Sequence, residues 1–206
     1  MRFSQIAWVP EYGDMSWDEA TAPAVDWIEG RAAEEGVEPA LMVNTLGGHG
    51  SGDDPMSRFE GRYSVVSERS AMRSRLAGGP MLVYVPSAGA LERAMRLANG
   101  YSICVIEGTL ERWHGWAVEL GALDLLAGEV TGDERSANAR RLSARLDMYA
   151  NNGFGDALGK QVVPRILRDL LTEGVTANDI CGIALARGCG ERGVKALRGY
   201  LARLDR

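Results

Sequence analysis

A glycine-rich polar stretch from Leu46 to Ser57, LGGHGSGDDPMS, holds the residue types best suited to chemistry. Gly47, Gly48 and Gly50 carry no side chain, so backbone N–H groups there can approach an anion closely, as a phosphate cradle requires. Ser87, Arg69 and Arg73 are the side chains expected to join them, because a planar guanidinium fork suits phosphate. The same stretch sets His49 near Asp53 and Asp54, while Glu11 and Glu107 follow two apolar runs. Those groups describe a magnesium site for phosphoester hydrolysis. Asp53, Asp54, Glu11 and Glu107 would hold the ion, and His49 would deprotonate the attacking water. Adjacent carboxylates on an extended loop diverge, which counts against Asp53 and Asp54 sharing one metal. The stretch also lacks the GxxxxGK[ST] order of a Walker site, and it has no GxGxxG leading directly into a helix.

Three other groups deserve weighing. Arg58, Arg62, Arg69, Arg73 and Arg75 make a basic patch against Glu60 and Glu68, which reads first as a solvated, salt-bridged face. Trp113-His114-Gly115-Trp116 could clamp an aromatic ligand, but reads more simply as a helix end docked by packing. Near the C-terminus, a turn at Gly188 sets Ile183 and Ala184 against Val194 and Leu197, the spacing of a helix-turn-helix. Arg192, Lys195 and Arg198 would then face nucleic acid. Arg187 falls where that motif wants an apolar residue, and Gly190 and Gly193 weaken the second helix by ~1 kcal/mol each.

Positioning these residues falls to five expected strands and several helices. Residues 3–9, 40–45, 62–67, 81–85 and 102–106 are apolar runs ended by proline, glycine or polar residues. Ser16 with Glu19 forms a capping box that opens a helix to Glu35, which Gly36 ends and Pro23 is expected to kink or split. Ser87 caps a second helix to Ala98, and a third is expected from Arg112 to Leu126. The order is that of an α/β, Rossmann-like, doubly wound and mainly parallel sheet, whose ligands bind beyond the carboxyl ends of the strands. Helices over 136–149, 162–171, 177–187 and 191–204 follow.

Charge divides the chain at the same place. Residues 1–133 hold 10 Arg against 20 Asp and Glu, a net of −10, whereas residues 134–206 hold 13 Lys and Arg against 8 acids, a net of +5. An acidic Rossmann-like domain (1–133) is therefore expected to carry a basic, all-helical C-terminal appendage (134–206). No apolar run approaches the ~20 residues that cross a bilayer, and residues 1–14 lack the apolar core of a signal peptide. Cys104, Cys181 and Cys189 show neither disulfide nor metal spacing, so buried thiols in a reducing cytoplasm are expected.

Several stretches, GGPMLVYVPSAGALERAMRLANG, SICVIEG, GWAVELGALDLLAGE and NNGFGDALGKQVVPRILRDL leading into GVTANDICGIALARG, resemble uncharacterised hypothetical proteins of actinobacteria and their mobile elements. The resemblance implies an intracellular setting and brings no activity with it. The function expected is that of a cytoplasmic, non-catalytic or regulatory protein. Its α/β domain binds a small phosphate-bearing, nucleotide-like ligand, and its tail binds a partner such as nucleic acid. The alternatives are a magnesium-dependent hydrolase or transferase acting on a nucleotide-like substrate, and a structural protein whose tail forms a homodimer.

Overall fold

The computed structural model describes residues 2–11, 13, 15–46, 54–70, 78–109, 111–150 and 154–204. They form two compact units: Met1–Glu111 with Ala122–Thr131, and Arg112–Gly121 with Gly132–Arg206. The fold is mixed α/β, with a seven-stranded, mostly parallel sheet and eight helices among the described residues. None of those helices is long and apolar enough to cross a membrane.

The first unit is built on β1 (Ile6–Val9), β2 (Ala40–Val43), β3 (Ser64–Ser67), β4 (Met81–Tyr84) and β5 (Ile103–Ile106). All five are parallel, and β6 (Leu123–Asp124) extends the parallel set beside β1 before β7 (Glu129–Val130) turns back. The order across the sheet is β3-β2-β4-β5-β1-β6-β7. Alternate strand residues Ala7, Val9, Leu41, Val43, Leu82, Cys104 and Ile106 join Ala24, Ile28, Met56 and Phe59 in one apolar cluster. The intervening set, including Trp8, Met42, Met81, Val83 and Val105, is buried as well. Both faces are therefore covered, which is why these strands read as continuous apolar runs. Full burial pushes the Cys104 thiol well above its ordinary value, and all three cysteines are buried and outside any disulfide.

Helix α1 (Trp17–Glu35) begins with the expected capping box, in which Ser16 Oγ accepts from Glu19 N–H and the Glu19 carboxylate accepts from Ser16 N–H. It ends at Gly36 in the left-handed region, φ 66°. It runs unbroken through Pro23, so the expected split does not occur. Helix α2 (Pro55–Arg62) begins inside the stretch expected to be loop up to Ser57 and ends at Arg62, where a strand was expected to start: Asp54 caps it, Pro55 fits its first turn, and Met56 and Phe59 are buried. Helix α3 (Ala88–Leu97) packs against β4 and β2.

The second unit is helical. Helix α4 (His114–Leu120) stops at Gly121, φ 62°, rather than reaching Leu126. The next residues return to the first unit as β6, where Asp124 Oδ1 accepts from the N–H groups of Leu126 and Ala127 and folds the turn to β7. Helices α5 (Ala137–Asp147), α6 (Ala157–Thr172), α7 (Ala177–Ala186) and α8 (Glu191–Leu204) complete the unit. The charge break expected after Asp133 lies beside the division at Thr131, and residues 112–121 group with the helices rather than with the sheet.

Candidate functional site

Connections out of β1 and β2 run toward the β3 edge, whereas the connection out of β4 runs toward β5. Neighbouring β2 and β4 therefore send the chain in opposite directions, and a crevice opens beyond their carboxyl ends. A cleft of ≈ 330 Å³ lies there, lined by Trp17, Asn44, Tyr84, Val85 and Gly108 with the exposed Thr45 and Thr109.

Each wall has a local cause. Asn44, the residue after β2, accepts from Ser87 N–H at 2.7 Å and donates to the Val85 carbonyl at 2.8 Å, so one amide staples the β2 end to the β4 end. Val85 adopts φ 43°, a conformation that costs a β-branched residue roughly 1–3 kcal/mol. It is held by that amide, by its own N–H bond to the Ile106 carbonyl at 2.9 Å, and by Pro86 after it. The turned Val85 side chain fills the space beside Gly108, where an added Cβ would lie 3.2 Å from Val85 Cβ and far inside contact with its methyl. Trp17, placed by the Ser16 cap, meets Tyr84 edge to face at 5.1 Å and 87°. Two aromatic side chains, one amide and two threonines therefore line this cleft.

The residues singled out for phosphate and metal chemistry are distributed unevenly. His49, Asp53, Gly47, Gly48, Gly50 and Arg73 lie outside the described residues. Ser87 caps α3 through Ala90 N–H, and its hydroxyl donates to Glu68 Oε2 at 3.0 Å. A Cβ on Gly89 would lie 2.8 Å from Glu68 Oε1, so an internal carboxylate covers the first turn of α3, where an incoming phosphate would otherwise be drawn. Arg69 is exposed in the turn after β3. The Asp54 carboxylate is engaged in capping α2, accepting from Ser57 N–H at 2.9 Å and from its hydroxyl at 2.6 Å. Glu107 is buried, 3% exposed, and accepts from Glu11 N–H at 3.0 Å. Adjacent strands thus bring the Glu11 backbone to the Glu107 side chain, but no group of three or more metal-ligating side chains forms among the described residues. Trp17, Asn44 and Tyr84 were not anticipated; their signal was position at a strand or helix end.

In the helical unit, Arg192 and Lys195 line a cleft of ≈ 700 Å³ together with Lys160, Tyr200 and Arg203; Arg198 is not part of its lining. Ile183, Ala184, Val194 and Leu197 are buried. Arg187, out of place for a helix-turn-helix, has its own role: Nε meets Glu119 Oε1 at 2.7 Å and Nη1 meets Asp147 Oδ2 at 2.8 Å. Trp113 and Trp116 are fully buried, so they pack rather than clamp a ligand.

His114 Nδ1 lies 3.0 Å from Asp179 Oδ1, and the Thr176 hydroxyl donates to Oδ2 at 2.6 Å. Burial pushes the Asp179 carboxyl up, but these two partners outweigh it and hold the group below its ordinary value. A carboxyl held low stabilises the fold fully above its unfolded value of about 3.9 and loses that contribution as pH falls through the folded value. Asp179→Asn should therefore shrink the fall in melting temperature between about pH 5 and pH 3, followed by circular dichroism. An unchanged acid limb would show that the carboxylate contributes nothing.

No protein-family model, no curated protein and no solved structure matches this chain.

Proposed function

We propose that the chain is a non-catalytic or regulatory protein whose first unit is a Rossmann-like, doubly wound domain that binds a nucleotide-like, phosphate-bearing ligand. Its helical unit engages nucleic acid. The observation that carries the first half is the cleft at the β2/β4 reversal, with the Trp17–Tyr84 pair on its wall. The opposite departures of the chain there and the burial of both sheet faces support the doubly wound reading. A base would lie against the aromatic pair and its polar edge would meet Asn44 and Thr45. The phosphates would extend away from the Glu68 carboxylate, which repels them from the α3 terminus. A hydrolase reading draws support only from the meeting of Glu11 and Glu107, and Asp54 is already engaged as a cap.

Thermal shift against nucleoside mono-, di- and triphosphates, with and without magnesium, tests the reading. A ligand present at about 100 times its Kd stabilises the native state by about 2.7 kcal/mol. Trp17→Ala should weaken the effective nucleotide by about tenfold or more, since a base–aromatic stack is worth roughly 1–3 kcal/mol. Stabilisation that requires magnesium, with turnover of the nucleotide, would favour the hydrolase. No stabilisation by any nucleotide would remove the ligand reading.

A further inference from the structure

The basic cleft of the helical unit has a composition that the helix-turn-helix spacing does not reveal. Its walls carry Lys160 from α6 and Arg192, Lys195 and Arg203 from α8, and no Asp or Glu among the described residues lines it. All four cations are exposed and none makes an ion pair among the described residues. Residues 192, 195, 199 and 203 fall on one stripe of α8, so the cations follow the cleft over about 16 Å of helix rise. The floor is aromatic and fixed. The Tyr200 hydroxyl donates to the Phe154 carbonyl at 3.1 Å, and Phe154 is fully buried. Arg203 sits over the Tyr200 ring, 5.8 Å from its centroid.

We infer that this cleft is a binding site for single-stranded nucleic acid. A positive groove that tracks a phosphodiester backbone, with an anchored ring for a base, is the chemistry by which single strands are held without sequence preference. A duplex fits less well. A recognition helix must offer its cationic face freely to a major groove about 12 Å wide, whereas this face of α8 shares its cleft with Lys160 and Pro164 of α6. The inference rests on the nucleic-acid half of the proposed function and specifies the strand state and the residues. Lys160 and Arg203 belong to the site, and Arg198 does not.

Fluorescence anisotropy of the full chain with a labelled oligothymidylate, and with a duplex of equal length, decides it. Single strands should bind tighter than duplex, and log K should fall with log salt at a slope of about −3, from about −0.7 per neutralised phosphate. Arg203→Ala and Lys160→Gln should each weaken binding by roughly three- to tenfold and flatten the slope by about 0.7. Arg198→Ala should leave both unchanged. Lys160 and Arg203 are exposed, so both variants should fold, which melting curves would check; the charge reversal Lys160→Glu supplies a second probe of the same wall. Preference for duplex, or a loss at Arg198 equal to that at Arg203, would overturn the cleft while leaving nucleic-acid binding intact. Binding of neither probe would overturn both.

Discussion

Gly115→Ala should destabilise the helical unit by about 3 kcal/mol, and Gly182→Ala by a similar amount. A Cβ on Gly115 would lie 2.5 Å from Asp179 Cα and 2.7 Å from its carbonyl carbon, and one on Gly182 would lie 2.6 Å from Trp116 N. Here α4 and α7 touch backbone to backbone, and neither has a flexible side-chain end that could yield. The adjoining Trp116 and Ile180 are themselves buried, so a shift of either helix would disturb the core around it. Relief would require the helices to separate, with loss of that packing. Gly199→Ala provides the contrast within the same unit: its Cβ would meet nothing within 4 Å, so removing a helix-interior glycine should stabilise by roughly 0.5–1 kcal/mol. Urea melts followed by circular dichroism should move in opposite directions for the two changes. Equal, small effects would mean that α4 and α7 do not meet through these glycines.

Glu119→Ala should cost about 2 kcal/mol or more. Its carboxylate bridges two guanidiniums, Arg135 Nη2 at 2.8 Å and Arg187 Nε at 2.7 Å, whose side chains are only 12% and 21% exposed. Removing one member of a buried ion network leaves charge without its partner, at 3–5 kcal/mol where burial is complete. The cost is smaller here, because Arg135 keeps Asp133 and Arg187 keeps Asp147. The carboxyl of Asp133 is held below its ordinary value, its bond to the Arg135 side chain being the largest cause. Arg187→Leu alone should also destabilise, and the double variant should cost less than the two single costs combined. Strict additivity in urea melts would show that the two side chains do not act together.

These two sites illustrate what could and could not be read from the chain. Leu41 to Val43, Met81 to Val83 and Ile103 to Ile106 are buried on both faces, so the core strands had to be continuous apolar runs and were visible. Ser16 with Glu19, and Gly36, marked α1 through local bonds alone. Helix α2 escaped notice because its Asp54-Pro55 start resembles a turn, although Met56 and Phe59 carried its buried face. The strand order was not legible, since β1 lies between β5 and β6 through pairings with segments about a hundred residues away. Arg187 looked misplaced because its partners, Glu119 and Asp147, are 68 and 40 residues distant. At the cleft, Ser87 was recognised as a cap, but its bond to Glu68 and the turned backbone of Val85 are tertiary facts with no local signature. Lys160 and Arg203 could not be joined to Arg192 and Lys195 until α6 and α8 were known to be neighbours.

The most direct measurement is the indole N–H resonance of Trp17, assigned by its loss in Trp17→Phe and followed by heteronuclear NMR while a nucleotide is added. Ligand binding at the β2/β4 reversal predicts a saturable shift of that resonance, with the resonances of buried Trp113 and Trp116 left in place. A Trp17 resonance that stays fixed while the nucleotide binds would place the ligand elsewhere and contradict the proposed site.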